Sequence, residues 1–286
     1  MKLNGKVALI TGASLGLGRA VASAFAREGS DVLMCARNAA DLEAARSAVA
    51  QEAPQRRVVA RKADMTVEDD VAQLFETAAS TFGRLDVLVC NAGIFGPKGR
   101  IEDLHWRDWA HAIATNLLGP VLCVQHAMPL LRKAAHRPKI VITSGGGAER
   151  AYPLISSYAT SKTGLVRFGE SLALQLGDDA DVNMLAPGQL NTRMVDDILD
   201  AGPAKVGQSQ YDGALRTRAT GGASIENAAE LAVFLASSES DGISGRLIHA
   251  VRDPWRTLAE HREELAASDL FQLRRVDLKD RGLDWK

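Results

Sequence analysis

The sequence predicts a doubly wound α/β fold, in which a parallel β-sheet is covered by helices on both faces. Short apolar runs alternate along the chain with longer helical stretches, and this alternation is typical of a parallel sheet. Glycines and polar residues follow several of these runs, where open α/β sheets place their ligand-binding groups. No Pro/Gly/Ser-rich linker and no run of like charges divides the 286 residues, so we expect one domain.

The predicted elements follow one another in a regular order. Their apolar runs are rich in Val, Ile and Leu, as expected for strands that are buried on both faces. The predicted strands are 7–10, 32–35, 58–62, 85–90, 140–142, 182–185 and 244–251, and the predicted helices are 20–27, 39–52, 67–82, 106–133 and 225–236.

Charge and composition exclude several classes of protein. The 34 basic and 35 acidic residues give a net charge of -1 without a basic cluster, which argues against a nucleic-acid partner and favours a small molecule. None of the six histidines forms a pair with zinc-ligand spacing and an acidic neighbour, so we expect no metal site.

The cysteines and the N-terminus bear on the compartment. Cys35, Cys90 and Cys123 lie singly inside apolar segments, so we expect core thiols in a reducing compartment rather than a disulfide framework. The first apolar run is only four residues long, too short for a signal peptide, and no run approaches the length of a membrane span. These features predict a soluble, cytoplasmic protein with no membrane segment.

The stretch 144–162 places a hydroxyl, a phenol and an ammonium where one reaction could use all three. Tyr158 and Lys162 are four residues apart and therefore share a face if the stretch is helical. A free phenol has a pKa of about 10, and a nearby positive charge lowers it, so we expect Lys162 to make Tyr158 a better proton donor. Ser144 follows a buried strand and could hydrogen-bond the oxygen that Tyr158 protonates.

A glycine-rich turn follows the first predicted strand. The segment 11–18 reads T-G-A-S-L-G-L-G and leads directly into a helix. Glycines permit a tight turn and close approach to a pyrophosphate, while the helix N-terminus supplies N–H donors. The turn therefore predicts a dinucleotide site, although a tight loop without a ligand has the same composition.

The T-G-x-x-x-G-x-G turn, combined with Y-x-x-x-K downstream, resembles the short-chain dehydrogenase/reductase family in its single-domain form. The likeness covers about residues 3–251. It implies a seven-stranded parallel Rossmann-type sheet in the order 3-2-1-4-5-6-7 and a reversible carbonyl reductase or alcohol dehydrogenase. It also implies a small-molecule carbonyl or alcohol substrate and a homo-oligomer, either dimer or tetramer.

The resemblance implies a catalytic set of Asn116, Ser144, Tyr158 and Lys162. In relatives the asparagine holds a water that links the lysine to solvent, and the lysine also holds the nicotinamide ribose. Relatives usually carry the serine thirteen residues before the tyrosine, where this chain has Gly145. A one-residue insertion in the loop 145–147 explains this departure. Ser144 remains the candidate, because Gly145 has no hydroxyl and Ser156 and Ser157 lie too close to Tyr158 along the chain.

The cofactor is expected to be NADP(H) rather than NAD(H). Arg37, after the second strand, suits a 2′-phosphate, whereas an acidic residue would prefer a free ribose hydroxyl. Leu15 lacks the second basic residue of many NADP-using relatives, and a solvated Arg37 is the alternative. Asp64 could bind the adenine amino group or cap the helix 67–82. The expected cofactor-binding residues are Thr11, Gly12, Ser14, Leu15, Gly16, Leu17, Gly18, Arg37, Asp64, Met65, Asn91, Ala92, Gly93, Tyr158, Lys162, Pro187, Gly188 and Thr192.

Two further regions of the sequence are a predicted substrate lid and a C-terminal extension. Residues 189–222 resemble a substrate lid, and its four basic residues could meet an anionic substrate or lie on a solvated face: Arg193, Lys205, Arg216 and Arg218. Ile94, Phe95 and Tyr152 are further candidate pocket walls or packing residues. The extension 252–286 lies outside the resemblance, and we expect it to pack across a neighbouring subunit or over the pocket rim.

Two other functions fit the same pattern less well. A dinucleotide-binding regulator or scaffold without chemistry would typically lack members of the catalytic set. An epimerase or dehydratase that uses the nicotinamide only transiently would keep the set and give no net change in the cofactor.

Overall fold

The computed structural model describes residues 1–285 and confirms the predicted fold class and strand order. Seven parallel strands form one sheet in the order β3-β2-β1-β4-β5-β6-β7. The strands are β1 Val7–Thr11, β2 Asp31–Ala36, β3 Val58–Lys62, β4 Val87–Cys90, β5 Lys139–Thr143, β6 Asp181–Ala186 and β7 Arg246–His249.

Helices connect the strands and cover both faces of the sheet. The α-helices are α1 Gly16–Arg27, α2 Ala39–Glu52, α3 Glu68–Phe82, α4 Trp106–Ile113, α5 Gly119–Leu131, α6 Ser156–Leu176, α7 Arg193–Ala201, α8 Pro203–Val206, α9 Gln208–Thr220, α10 Ile225–Ala236 and α11 Arg262–Ala266. Short 3₁₀ helices lie at Ile101–Asp103, Gly146–Ala148, Gly177–Asp179, Ser238–Ser240, Trp255–His261 and Lys279–Arg281.

Two apolar layers hold the sheet between its helices. One layer joins the sheet to α1, α2 and α10, and the other joins it to α3, α5 and α6. The central strands are buried along their whole length, which explains their continuous apolar sequence. The three cysteines are free and buried, so the prediction of core thiols is confirmed.

The strand register brings the functional turns to one edge of the sheet. Thr11 pairs with Cys35, Cys90 with Ile142, and Thr143 with Leu185, so these strands end at nearly the same level. The chain leaves β1 toward β2 on one side and β4 lies on its other side, which creates a crevice at the carboxyl ends.

The predicted helix 106–133 is interrupted. Ala114–Leu118 forms a π-helical turn between α4 and α5, and the whole segment Trp106–Leu131 is 26 residues long. By length and composition alone this one segment could cross a membrane, contrary to the sequence-based expectation, and 44% of its most apolar window is buried. Core helices of soluble proteins meet the same criteria.

The segment 189–222 consists largely of three helices, α7, α8 and α9. They enclose a third, smaller apolar cluster that includes Val195, Ile198, Val206 and Ala214 together with the ring of Tyr158. The cluster attaches the predicted lid directly to α6, the helix that carries Tyr158.

The C-terminal extension packs on its own chain. Trp255, Leu258 and Leu265 are buried in the layer that contains α1 and α10. Farther along, the Leu247 amide of β7 donates a 2.7 Å hydrogen bond to the Phe271 carbonyl, which covers the free edge of the sheet. The extension was also expected to reach the rim of the pocket. Its residue Arg252 forms an ion pair with Glu149, next to the cleft-lining residue Arg150.

Candidate active site

A cleft of about 500 Å³ opens at the carboxyl ends of the strands. The glycine turn lines this cleft, and so do Ser144, Tyr158 and Lys162. The lid contributes Met194, Val195, Ile198, Gln210 and Arg216. One cavity thus contains the glycine turn together with three of the four predicted catalytic residues.

The glycine turn is built for close backbone approach. Gly12 has φ +64°, and a Cβ there would lie 2.8 Å from Ala92 Cα; a Cβ on Gly18 would collide with the Gly12 carbonyl. Thr11 Oγ1 accepts hydrogen bonds from the amides of Asn91 (2.9 Å) and Ala92 (3.0 Å). The turn and the N-A-G segment are therefore fixed to each other, and the N-terminus of α1 faces the cleft with no side-chain cap.

Ser144 presents a hydroxyl that has no partner. Its amide donates to the Leu185 carbonyl at 2.8 Å, which places the residue just beyond β5. The side chain is 2% exposed, and Oγ makes no hydrogen bond within residues 1–285 although it lines the cleft. An unsatisfied buried hydroxyl costs about 1–3 kcal/mol, which a bound oxygen could offset.

Gly145 occupies the position where relatives usually carry serine. A Cβ at Gly145 would lie 2.5 Å from Tyr158 Oη, and a Cβ at Gly147 would lie 2.9 Å from the same ring. The glycine loop therefore gives the tyrosine its space, and the hydroxyl at Ser144 is the one beside the cleft.

Tyr158 lies between two other aromatic rings. The Phe95 ring is tilted at 4.7 Å, and the Tyr152 ring is nearly parallel at 6.2 Å between centroids. The residue is 8% exposed, and burial, followed by the neighbouring Tyr152, raises the pKa of its phenol above the ordinary value.

Lys162 lies on the same face of α6, one turn after Tyr158, as predicted. Its Nζ donates a 2.8 Å hydrogen bond to the Thr143 carbonyl and lies 5.9 Å from the Tyr158 ring centroid. Burial lowers the pKa of Lys162 to about 8. The expectation of an acidified Tyr158 phenol is wrong for this structure, because burial, followed by the neighbouring Tyr152, raises its pKa instead.

Asn116 lies in the π turn and is fully buried. Its amide group accepts from the Ile94 amide at 2.8 Å and donates to the Ile94 carbonyl at 2.8 Å and to Ser161 Oγ at 3.0 Å. A Cβ at Gly93 would lie 3.3 Å from Asn116 Oδ1 and 3.5 Å from Lys162 Nζ, so the two side chains meet at this glycine. The side chain of Asn116 thus anchors the loop after β4.

The comparisons with known proteins agree with this geometry. Residues 6–202 match the family described as short chain dehydrogenase. A short-chain dehydrogenase/reductase of Armillaria gallica is 34% identical over 251 residues, which cover 86% of this chain and 94% of the relative. The chain belongs to the short-chain dehydrogenase/reductase family.

Solved structures show the same fold. The crystal structure of levodione reductase has a TM-score of 0.79 and 25% identity, covering 90% of this chain and 99% of the other. A short chain dehydrogenase from Escherichia coli CFT073, complexed with NADPH, has a TM-score of 0.75 and 25% identity, covering 87% and 98%. As a short-chain dehydrogenase/reductase, the protein is an oxidoreductase that uses a nicotinamide dinucleotide and acts on CH–OH or C=O groups of small molecules.

In this short-chain dehydrogenase/reductase most of the predicted cofactor residues line the cleft. Gly12, Leu15, Gly16, Leu17 and Gly18 do so together with Asn91, Ala92, Gly93, Tyr158, Lys162, Pro187, Gly188 and Thr192. The Thr192 methyl lies 3.3 Å from the Cβ position of Gly16, so the lid reaches the glycine turn. Thr11, Ser14, Arg37, Asp64 and Met65 do not line the cleft, and neither does the predicted catalytic residue Asn116.

Asp64 and Arg37 lie close together beyond the cleft. Burial raises the pKa of Asp64, but hydrogen bonds from Thr66 and the charge of Arg37 bring it below its usual value. Asp64 Oδ1 accepts from the Thr66 amide at 2.9 Å and from Thr66 Oγ1 at 2.8 Å. The predicted cap of α3 is therefore wrong: the helix begins after Val67 without a side-chain cap, and Asp64 closes the preceding turn.

The residues of the cleft wall that the sequence analysis did not name as site residues include Arg150, Met194 and His249. The signal for His249 was its position at the end of the last strand, where the other site residues also lie. His249 Nδ1 accepts from the amides of Val251 (3.1 Å) and Arg252 (3.3 Å), which leaves the proton on Nε2. No comparable signal in the sequence marked Arg150.

Proposed function

We propose that this enzyme is an NADP(H)-dependent oxidoreductase that interconverts a carbonyl and a secondary alcohol, with Tyr158 as general acid and base. The observation that supports this most strongly is the unpartnered Ser144 hydroxyl, which lines the same cleft as Tyr158, Lys162 and the glycine turn. A substrate oxygen could accept from Ser144 and Tyr158 together.

The residues of the cleft fit the dinucleotide. The glycine turn and the N-terminus of α1 would hold the pyrophosphate, Asn91 to Gly93 would approach the ribose, and Thr192 would close from the lid. Lys162 would hold the nicotinamide ribose hydroxyls. When bound, the nicotinamide supplies or accepts the hydride.

Tyr158 supplies or accepts the proton of the reaction. Because burial raises its pKa, Tyr158 keeps its proton at neutral pH and can donate it as negative charge develops on the carbonyl oxygen. In the reverse direction Tyr158 would act as base, and the ammonium of Lys162 would stabilise the phenolate. Ser144 would fix the substrate oxygen, while Phe95 and Tyr152 hold the phenol in place.

The preference for NADP(H) is supported by Arg37. It is exposed after β2, its charge acts on Asp64, and no acidic side chain occupies its position. The structural relative from Escherichia coli is itself complexed with NADPH. An arginine can receive a 2′-phosphate in a bidentate manner.

A homo-oligomer in the cytoplasm is a further part of the proposal. Large apolar side chains remain exposed in the 3₁₀ helix before α4, on α4, in the π turn and on α6, and they suit a subunit contact: Ile101, Trp106, Leu118 and Leu174. Light scattering on the purified protein tests this directly. A monomer at micromolar concentration would contradict it.

The experiment that tests the function is a screen of carbonyls and alcohols in the presence of the nicotinamide cofactors. Purified protein is mixed with NADPH, NADH, NADP⁺ or NAD⁺, and absorbance at the nicotinamide band is followed with sugars, polyols, steroids, oxoacyl thioesters and small ketones. We expect net oxidation of NADPH with at least one carbonyl class. Turnover of a substrate without any net change in the cofactor would indicate an epimerase or dehydratase instead.

A further inference from the structure

The charged side chains that line the cleft are all basic. Arg150, Lys162, Arg193 and Arg216 line it together with His249, and no Asp or Glu within the described residues 1–285 does so. The whole chain is nearly neutral, with 34 basic and 35 acidic residues, so this one-sided lining is a local property. A cavity of this kind favours anionic ligands.

Arg193 and Arg216 lie on the lid helices α7 and α9, whereas Arg150 lies on the loop that follows Ser144. Arg193 lies 3.7 Å from Asp41 of α2. Arg216 Nη2 lies 3.9 Å from the Cβ position of Gly213, which is also close to the Gln189 side chain. Of these three arginines, Arg150 is the nearest in sequence to Ser144 and Tyr158.

Arg150 is positioned over the glycine loop. Its Nη2 lies 3.9 Å from the Cβ position of Gly146, and Tyr152 Oη lies 2.6 Å from that same point. The Cβ position of the preceding glycine, Gly145, lies 2.5 Å from Tyr158 Oη. The guanidinium, the Tyr152 hydroxyl and the Tyr158 hydroxyl thus gather around two consecutive residues.

Arg150 has no acidic partner of its own. The neighbouring carboxylate, Glu149, is bound by Arg252, and within residues 1–285 Arg150 takes part in no ion pair. Burial raises the pKa of Tyr152, and the positive charge of Arg150 has a smaller effect in the opposite direction. An arginine fork without a carboxylate, at the mouth of a cleft, suits a bidentate carboxylate ligand.

The cleft wall near Tyr158 includes an apolar patch. Phe95, Met194, Val195 and Ile198 line the cleft near Tyr158. His249 adds an Nε2–H donor, because its Nδ1 is occupied by backbone amides. The cavity of about 500 Å³ must also hold the nicotinamide, so the space left suits a compact molecule.

We propose that Arg150 selects the substrate by its carboxylate, and that the substrate is a small oxo- or hydroxycarboxylate with an apolar body. The carboxylate binds the guanidinium, the body lies against Phe95, Met194 and Ile198, and the carbonyl oxygen reaches Ser144 and Tyr158. This inference rests on the proposed function, because it assigns a substrate class to the same site.

The test compares carboxylates with their neutral esters. The probes are 4-oxopentanoate and 4-oxocyclohexanecarboxylate, each with its methyl ester, reduced with NADPH by wild type, Arg150→Gln, Arg150→Lys and Arg132→Gln. Arg132 is an exposed arginine at the end of α5, at the opposite edge of the sheet, and serves as the matched control.

We expect wild type to prefer each acid to its ester. Arg150→Gln should lower kcat/KM for the acids roughly 10- to 100-fold, mainly through KM, and leave the esters unchanged, as for loss of a hydrogen-bonded charge. Arg150→Lys should recover part of the loss, and Arg132→Gln should match wild type. Equal turnover of acid and ester by wild type, or equal losses on both in Arg150→Gln, would overturn the assignment while the oxidoreductase function stands.

A binding measurement separates this inference from the function. Cyclohexanecarboxylate should raise the Tm of wild type in the presence of NADP⁺, and its methyl ester should not. Arg150→Gln should lose this protection. If protection is seen but no carbonyl is reduced, the carboxylate site is upheld and the proposed function fails; if wild type shows no protection, the carboxylate site is refuted.

Discussion

Ser144 and Tyr158 are two polar side chains that the fold buries beside an open cleft. A buried hydroxyl without a partner, such as that of Ser144, is unfavourable for stability, and burial keeps the Tyr158 phenol protonated. The cost at Ser144 diminishes when a polar ligand atom arrives, since it supplies the missing hydrogen bond. At the scale of single residues, the site is therefore prepared for an oxygen atom that the protein does not itself provide.

Arg37 is expected to select the cofactor. Replacing it by aspartate (Arg37→Asp) puts a negative charge where a 2′-phosphate would lie and offers an acceptor to a free 2′-hydroxyl. The ratio of kcat/KM for NADPH over NADH should fall at least 10-fold, as for a lost charge-assisted contact. Arg46→Gln on the exposed face of α2 is the control, and a ratio unchanged in Arg37→Asp would show that Arg37 is not the selector.

Among the structural elements, the glycine loop after β5 determines whether a serine side chain fits at position 145 beside Tyr158. Gly145→Ser restores the serine–tyrosine spacing that is usual in the family. Its Cβ would lie 2.5 Å from Tyr158 Oη, however, so the phenol must move. We expect kcat to fall at least 10-fold, since displacements of about 1 Å can cost 10²-fold.

The double variant Ser144→Gly/Gly145→Ser tests the same point from the other side. If Ser144 is the functional hydroxyl, moving the serine by one residue should not rescue activity. Wild-type kcat in the double variant would show that the hydroxyl belongs at 145 and that the assigned insertion lies elsewhere.

Lys162 links α6 to the end of β5 and should leave a signature in the pH dependence of stability. Its pKa is about 8 in the folded chain, against an ordinary value of 10.5. Between these values the unfolded chain binds more protons, so the contribution of Lys162 to stability rises with pH across this window and is constant below it.

Urea unfolding of wild type and Lys162→Met checks this signature. The free energy of unfolding of wild type minus that of the variant should increase between pH 8 and pH 10.5. A difference that stays flat over this range would mean that Lys162 keeps an ordinary pKa in the folded protein.

At the scale of the whole molecule, the C-terminal extension completes the fold. Arg246 of β7 is 6% exposed and donates to the carbonyls of Ser268 (2.9 Å) and Leu270 (2.7 Å). Glu170 of α6 accepts from the Leu273 amide at 2.6 Å. The segment from Trp255 to Leu273 thus ties both faces of the sheet together across its β7 edge.

Two truncations separate this structural role from a role at the cleft. Ending the chain after Val251 removes Trp255 and Leu258 from the core, and loss of a single such side chain already costs about 2–5 kcal/mol. We expect that chain to be insoluble or to have a Tm lower by more than 10 °C. Ending it after Leu273 should leave Tm within a few degrees and kcat/KM unchanged. Similar Tm values for both truncations would contradict the assignment.

The sheet and the central groups could be predicted because their signals are local. Apolar runs locate the strands, and a spacing of four residues places Tyr158 and Lys162 on one helix face. The pKa of Tyr158 could not be predicted, since it depends on burial against Phe95, from a distant part of the chain, and against Tyr152, from the loop before α6. The π turn at Asn116 and the position of Arg150 also depend on tertiary packing, and the extension had no family pattern to guide its placement.

The central claim is that Tyr158 delivers a proton to the oxygen of a carbonyl while a nicotinamide delivers hydride to its carbon. The most direct measurement is reduction of a substrate found in the screen with NADPH that carries deuterium at the transferred position, using wild type and Tyr158→Phe. Wild type should place the deuterium on the carbinol carbon, and the variant should bind NADPH normally but turn over at least about 10²-fold more slowly. Deuterium absent from that carbon, or near-normal turnover by Tyr158→Phe, would contradict the account.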